Sequence, residues 1–222
     1  MIFLNWKANG SKELAEQYNE IAIPQHKVVP LVPMPFVSML DANKFEIGTQ
    51  DVSLFPKGAY TGEVTAEILA EFGVKYCLVG HSERRHYMHE NNDIISKKIQ
   101  RLLSHQITPI LCVGENSLER ANKTHFGVLK KQMEAFVADC IVAYEPMWAI
   151  GTGSTPTNHE IDDVINWIKQ QYEQSYNDPK VLYGGSVSAK NIATLVKTKA
   201  DGILVGGVSL KPDEIMEITK HF

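Results

Sequence analysis

The stretch IVAYEPMWAIGTGSTPTNHEIDDVINWIKQQY at residues 141–172 contains an apolar run, a glycine-rich polar segment and an amphipathic segment, in that order. The run at 141–144 is short and apolar throughout, which is typical of a strand buried on both faces. The amphipathic segment has helical spacing, and Thr157 and Glu160 stand ahead of it in the positions of a capping box. Its inner face is formed by Ile161, Val164, Ile165, Ile168 and Tyr172. The stretch therefore predicts a strand, a loop and a helix, which is the repeating unit of α/β folds.

The same unit recurs along the chain, and no low-complexity linker interrupts it. Eight short aliphatic or β-branched runs are predicted as strands, at residues 2–5, 28–32, 45–48, 76–80, 108–113, 141–144, 181–184 and 202–205. Helical stripes lie between them, for example at 94–103 and 126–140, and Pro212 is placed to begin a last helix. The inner face of that helix is formed by Ile215, Ile218 and Phe222. Such an array either closes into a barrel or forms an open doubly wound sheet, and composition does not separate the two.

The composition is that of an ordinary globular protein, with 44% hydrophobic and 22% charged residues among 222. We predict one domain over residues 1–222, because α/β barrels of about this length fold as a unit. The 22 Lys and Arg and the 26 Asp and Glu give a net charge of −4, and neither sign forms a long run. Nucleic acid and anionic membranes are therefore not expected as partners.

The N-terminal residues and the cysteines favour a cytoplasmic location. The first stretch, MIFLNWKANG, has no basic region and no apolar run of signal-peptide length. The longest apolar stretch, at 28–37, is interrupted by prolines and is far shorter than the roughly 20 residues of a membrane-spanning helix. Cys77, Cys112 and Cys140 are odd in number and far apart, which argues against a disulfide framework and a cysteine zinc site.

Polar residues that follow the predicted strands are the candidates for a functional site, because parallel α/β folds bind ligands at the carboxyl ends of their strands. Asn5 and Lys7 follow the first strand, His81 and Glu83 the fourth, and Glu145 the sixth. Glycine clusters follow the last three strands, at 151–153, 184–185 and 206–207. Glycine turns let backbone N–H groups approach an anion closely. The pattern therefore predicts a phosphate-bearing ligand.

Seven stretches, in the same order and after the matching strands, resemble the triosephosphate isomerase family. They are NWKANG at 5–10, TGE at 61–63, VGHSERR at 79–85, LCVGE at 111–115, AYEPMWAIGTG at 143–153, YGGSV at 183–187 and GILVGG at 202–207. The resemblance implies a closed (β/α)8 barrel that interconverts dihydroxyacetone phosphate and D-glyceraldehyde 3-phosphate through an enediolate. It also implies a cytoplasmic homodimer of glycolysis, gluconeogenesis and the pentose shunt, with no cofactor and no metal ion.

The same resemblance assigns roles to individual residues. Glu145 resembles the family's catalytic base and His81 its electrophile, a histidine that this family keeps neutral beside a helix N-terminus. Lys7 resembles the residue that offsets the enediolate and phosphate charge, Asn5 is expected to hold a substrate oxygen, and Glu83 resembles the carboxylate that pairs with the lysine. The phosphate is expected at the backbone N–H groups of Gly151, Ser186, Gly206 and Gly207. The segment 146–156 resembles a lid that excludes water, and it includes Pro146, Trp148, Ile150, Thr152 and Gly153.

The chain also departs from the family's pattern. Ser154-Thr155-Pro156 stands where the family commonly has a lysine-containing second hinge, and the segments around 23–27 and 116–125 are shortened. The connection at 55–63 is kept, and it resembles the loop that enters the partner subunit. The resemblance therefore places Thr61 near the other chain's Asn5 and Lys7.

Two other functions are weighed against this reading. Another barrel enzyme acting on a phosphorylated sugar would need metal-binding histidines and carboxylates at the strand ends, and the spacing of His81, His86 and His89 matches no common zinc pattern. A catalytically silent phosphate-binding scaffold would have lost the base or the electrophile, and Glu145 and His81 are both present.

Overall fold

The protein forms a closed barrel of parallel strands, in which each strand pairs with the next in chain order and the last pairs with the first. The computed structural model describes residues 1–23, 28–135, 140–151, 155–172 and 179–222. Within these ranges the strands are β1 Ile2–Asn5, β2 Val28–Val32, β3 Gly48–Thr49, β4 Tyr76–Val79, β5 Thr108–Val113, β6 Ile141–Tyr144, β7 Val181–Tyr183 and β8 Gly202–Val205. Closure of the sheet confirms the (β/α)8 barrel and excludes the open doubly wound alternative.

Helices connect the strands on the outside of the barrel. The α-helices of the described ranges are α1 Lys12–Glu20, α2 Ala66–Glu71, α3 Ser82–Tyr87, α4 Asn92–Leu103, α5 Ser117–Ala121, α6 His125–Gln132, α7 Asn158–Tyr172, α8 Ile192–Leu195 and α9 Pro212–Thr219. Short 3-10 helices span Met34–Met39, Met133–Ala135, Met147–Ala149 and Gly207–Leu210. In the part of the chain that the structure describes, no helix combines the length and apolarity needed to cross a membrane.

The predicted third strand, at 45–48, is wrong in its position. Phe45 and Ile47 are buried, as their apolarity indicates, but they precede β3, and the Ile47 carbonyl accepts the N–H of Lys75, just before β4, at 2.8 Å. Only Gly48 and Thr49 pair with both neighbouring strands. Gly48 fits because it has no side chain, since a Cβ there would overlap the Leu31 side chain and lie 2.8 Å from a backbone oxygen. The strand β3 is therefore only two residues long.

The other predicted strands are confirmed in place. Five have the predicted bounds, while β4 and β7 each end one residue earlier, before Gly80 and Gly184. These two glycines are thereby the first residues of the loops at the carboxyl end of the barrel, where the site residues lie.

Two apolar layers hold the barrel together. The inner layer fills the barrel, and its members are Phe3, Val29, Leu31, Leu78, Ile110, Cys112, Ala143, Leu182 and Leu204. The outer layer lies between strands and helices and contains four residues of the predicted inner face of α7, Ile161, Val164, Ile165 and Ile168, all fully buried. Each such side chain contributes about 1.5–3 kcal/mol when it leaves water. The side chain of Tyr172, the fifth predicted residue of that face, lies outside the described part of the chain.

The predicted helix boundaries are confirmed where they depend on local capping. The Thr157 N–H donates to Glu160 Oε2 at 2.9 Å and the Glu160 N–H donates to Thr157 Oγ1 at 3.3 Å, so the capping box ahead of α7 is formed. Helix α9 begins at Pro212, with Ile215 and Ile218 buried. The stripe at 126–140 forms a shorter helix than predicted, because α6 ends at Gln132; its members Phe136 and Val137 lie outside the described residues.

Candidate active site

The polar residues that follow the strands converge on one cavity at the carboxyl end of the barrel. Its volume is about 490 Å³. Its walls include Asn5, Lys7, His81, Glu145, Ile150, Gly151, Ser186, Gly206 and Gly207. Residues from five different strand ends thus meet here, because all strands are parallel and point the same way.

Glu145 and His81 form a buried pair at the floor of this cavity. Glu145 Oε1 lies 3.4 Å from His81 Nε2, and the two residues are only 4% and 5% exposed. The other oxygen, Glu145 Oε2, is buried and has no hydrogen-bond partner among the described residues. A carboxylate with one oxygen on an imidazole and the other uncommitted is suited to accept a proton from a bound ligand.

Two glycines make room for Glu145, and the sequence did not reveal their role. The Glu145 N–H donates to the carbonyl oxygen of Val113 at 2.8 Å, which draws β6 against β5. A Cβ on Gly114 would overlap the Glu145 carbonyl, and a Cβ on Gly184 would lie 2.8 Å from Glu145 Cγ. Gly184 therefore does more than form a turn.

The position of His81 sets which of its nitrogens faces the ligand. His81 precedes α3, and its Nδ1 accepts the backbone N–H of Glu83 at 3.3 Å. In the neutral ring the proton therefore lies on Nε2, on the side of Glu145. Burial lowers the pKa of His81 and the Glu145 carboxylate raises it; the balance lies above the ordinary histidine pKa.

Lys7 reaches the cavity from a strained backbone position. Its φ is +54°, a left-handed conformation that costs a residue other than glycine roughly 1–3 kcal/mol and that is found mainly at functional sites. The Lys7 N–H donates to Asn5 Oδ1 at 3.0 Å, and Lys7 Nζ forms an ion pair with Glu83 Oε1 at 2.5 Å. Asn5 is almost fully buried. The structure thus brings together four of the predicted residues and joins Glu83 to them through Lys7.

The predicted phosphate turns line the opposite side of the cavity. Gly151 has φ of +67°, and a Cβ on Gly207 would meet no atom within 4 Å, so this wall is open toward a ligand. Ser186 Oγ donates to the Ala149 carbonyl at 2.5 Å. Asn191, which the sequence reasoning missed, also lines the cavity, and its Nδ2 donates to the Ser186 carbonyl at 3.0 Å.

The start of the segment that resembles a lid is held by a buried acid. Trp148 Nε1 donates to Glu115 Oε1 at 3.0 Å. Pro146 precedes the 3-10 helix that contains Trp148, and Ile150 follows it into the cavity wall. Thr152 and Gly153, together with Ser154, lie outside the described residues.

Cys112 is buried in the inner apolar layer of the barrel. Its thiol is close enough to Glu145 to be affected by it. Burial, and to a smaller extent the Glu145 carboxylate, raise the pKa of the thiol well above its ordinary value. The thiol therefore stays protonated beside the carboxylate.

A second cavity of about 590 Å³ adjoins the first and shares Asn5, Lys7 and His81 with it. Its outer wall includes Tyr87 and Met88, which are 68% and 62% exposed. Thr61 does not line either cavity within its own chain; it lies on an exposed loop in which the rings of Phe55 and Tyr60 stack at 4.2 Å.

Within the described ranges, no three His, Cys, Asp or Glu side chains come close enough together to hold a metal ion. His86 and His89 are exposed and do not line the cavity that contains His81. The expectation that the site works without metal stays a prediction, to be checked by chelation.

Comparison with known proteins gives one consistent family. A family model described as triosephosphate isomerase matches residues 1–222. A triosephosphate isomerase of Pseudoalteromonas translucida is 39% identical over 235 residues, covering 98% of this chain and 94% of the relative. Those of Alkaliphilus oremlandii and Vesicomyosocius okutanii subsp. Calyptogena okutanii are 38% and 36% identical over 237 and 238 residues, covering 96% and 97% of this chain and 96% of each relative.

Proposed function

The chain belongs to the triosephosphate isomerase family, and we propose that Glu145 and His81 carry its interconversion of dihydroxyacetone phosphate and D-glyceraldehyde 3-phosphate. The observation that supports these roles best is the buried pair itself, with Nε2 and Oε1 3.4 Å apart beside a lysine and opposite glycine turns. We also propose that residues 1–222 form one domain, supported by the family match over the whole chain.

Glu145 is the base. It takes a proton from the hydroxyl-bearing carbon next to the carbonyl, the electron pair of that C–H bond forms the carbon–carbon double bond of an enediolate, and the carbonyl oxygen becomes negative. The proton of the neighbouring hydroxyl then moves to the former carbonyl oxygen, and the carboxyl group returns its proton to the former carbonyl carbon, which moves the carbonyl by one position. A carboxylate that is almost fully buried and has an uncommitted oxygen can make this transfer without first losing a shell of water.

His81, Lys7 and Asn5 stabilise the enediolate. His81 donates its Nε2–H to the oxygen on which negative charge develops, and the hydrogen bond to its Nδ1 keeps the ring oriented for this. Lys7 contributes a positive charge at the same place, and Asn5 holds a substrate oxygen. Glu83 fixes the Lys7 ammonium through their ion pair, so it acts by positioning.

The phosphate binds at the far wall of the cavity, to backbone N–H groups of Gly151, Ser186, Gly206 and Gly207. The open space above Gly207 and the short 3-10 helix that begins there support this placement. With the phosphate held here, the reacting carbons lie next to Glu145 and His81. The segment 146–156 resembles a lid, and we infer that it excludes water from the site, which would protect the enediolate from loss of phosphate.

The functional unit is a homodimer. The cavity beside Lys7 has an exposed apolar outer wall at Tyr87 and Met88, and such surfaces on soluble proteins are typical of interaction sites. We infer that the loop at 55–63 of the partner subunit fills this cavity and brings Thr61 toward Asn5 and Lys7. A cytoplasmic location and a role in glycolysis follow from the family's activity and are part of this proposal.

A coupled assay with D-glyceraldehyde 3-phosphate tests the function directly, run with and without a chelator. Rapid formation of dihydroxyacetone phosphate in both conditions is the expected result. Folded protein that gives no conversion would instead support the silent scaffold, and conversion abolished by the chelator would support a metal-dependent sugar-phosphate enzyme.

A further inference from the structure

Glu115 is a fully buried carboxylate that does not touch the reacting centre. Its Oε1 accepts hydrogen bonds from the Tyr144 hydroxyl at 3.1 Å and from Trp148 Nε1 at 3.0 Å, and its carbonyl oxygen accepts the Met147 N–H at 2.9 Å. These donors lie on both sides of Glu145 in the sequence. The position of Glu115 therefore fixes the stretch of main chain from which the base projects.

Arg120 on α5 supplies the positive charge for this acid. Its Nη1 lies 3.8 Å from Glu115 Oε1, and the arginine side chain is 20% exposed. Among the described residues it is the one cationic side chain in an ion pair with Glu115. The nearby His125 does not serve in its place, because burial and then the Arg120 cation lower its pKa, which leaves the ring neutral near pH 7. A buried carboxylate that loses its only cation is strongly destabilised.

The same guanidinium reaches the start of α7. Arg120 Nη2 donates to Glu160 Oε1 at 3.2 Å, while Glu160 Oε2 accepts the N–H and the hydroxyl of Thr157, each at 2.9 Å. Glu160 thus belongs to the capping box of α7 and also pairs with Arg120. One planar group with several donors joins a carboxylate beside β6 to a carboxylate at the first turn of α7.

We propose that Arg120 is a positioning residue for the isomerase reaction: it holds the main chain at 144–148 and the first turn of α7 in one fixed arrangement, through Glu115 and Glu160, and so keeps Glu145 in reach of His81. The inference rests on the proposed role of Glu145 as the base. Arg120 lies outside the cavity and touches no reacting atom.

The first test compares Arg120→Met with a matched control, Lys169→Met. Lys169 is also a half-buried cation, 22% exposed, and it pairs with Asp201 at 2.9 Å at the opposite end of the barrel. We expect Arg120→Met to lower kcat roughly 10- to 100-fold, as misplacement of a reacting group does, with KM changed less than about 3-fold because the phosphate turns are untouched. Lys169→Met should lose less thermal stability, because the Asp201 side chain stays in contact with water, and should keep its kcat within about 2-fold.

A second pair of variants separates positioning from general stability. Arg120→Lys keeps the charge but has no fork to reach both carboxylates, so it should recover part of the lost kcat. Glu115→Gln removes the buried charge, so adding Arg120→Met to that variant should cost less than about 3-fold in kcat. Equal losses with and without Glu115→Gln would mean that Arg120 does not act through Glu115.

The outcomes distinguish this inference from the proposed function. Wild-type protein without isomerase activity would overturn both. Active wild-type protein, with Arg120→Met no slower than Lys169→Met, would overturn the inference alone. If Arg120→Met does not fold, Glu160→Gln tests the proposal instead, because it weakens only the contact between Arg120 and Glu160. An unchanged kcat in both Glu160→Gln and Arg120→Lys would refute the positioning role of Arg120.

Discussion

Replacing Gly184 by alanine should displace the base and slow the reaction while the barrel stays folded. A Cβ at this position would lie 2.8 Å from Glu145 Cγ and 3.4 Å from its Oε1. Carbon atoms in contact are about 3.5–4.0 Å apart, so the Glu145 side chain has to move by about 0.7 Å or more. Because a misplacement of about 1 Å can cost about 10²-fold, we expect kcat to fall roughly 10- to 100-fold, equal to about 1.4–2.7 kcal/mol of barrier.

The matched control for this change is Gly127→Ala. A Cβ on Gly127 would meet no atom within 4 Å, and this glycine lies within α6, where alanine reduces the entropy of the unfolded chain and stabilises by about 0.4–1 kcal/mol. Its kcat should equal that of the wild type. For both variants the coupled assay gives kcat and KM, and thermal unfolding shows that the barrel is intact.

Two results would refute this reasoning about Gly184. A folded Gly184→Ala protein with the wild-type kcat would show that the space beside Glu145 is not what places the base. Weakened competition by inorganic phosphate, with kcat kept, would assign Gly184 to the phosphate turn instead.

Three further predictions follow from the site and its surroundings. Glu145→Gln should lower kcat by roughly 10²–10⁴-fold, the range of general base catalysis. Because the Glu145 carboxylate raises the pKa of His81, the same variant should lower that pKa, and an NMR titration that finds the His81 pKa unchanged would contradict the pairing. Dilution below the dimer dissociation constant should reduce specific activity, which sedimentation in parallel with the assay can check, and a fully active monomer would remove the partner loop from the site. Lys98→Met should destabilise the fold by about 1–3 kcal/mol, since Lys98 Nζ lies 2.6 Å from both Asp51 and Glu90 and its loss leaves Arg84 as the remaining cation paired with these two carboxylates. Urea unfolding measures this, and a loss below about 0.5 kcal/mol would contradict it.

The sequence predicted the parts of the fold that depend on local patterns. The spacing of Ile161, Val164 and Ile165 indicates a helix because residues three and four apart lie on one face, and that face is buried. The third strand was misplaced because apolarity indicates burial and not pairing. Phe45 and Ile47 are buried side chains beside the ladder, whereas Gly48 enters it because the neighbouring strands leave no room for a Cβ.

Some residues of the candidate site could likewise be predicted from the sequence, and others could not. A rule of topology places strand-end residues in one cavity, so Glu145, His81 and Lys7 could be grouped from the sequence. The role of Gly114 and Gly184 could not be predicted, because these glycines act by leaving space for Glu145, which comes from another strand.

Glu160 shows where a local pattern stops being informative. Its spacing from Thr157 predicted one of its oxygens correctly, as the acceptor in a capping box. Its other oxygen accepts from Arg120, forty residues earlier in the chain, and no periodicity connects the two. The contact exists because the barrel places α5 beside the first turn of α7. Through Arg120, the capping box of α7 is thereby connected to Glu115, the acid that holds the main chain around Glu145.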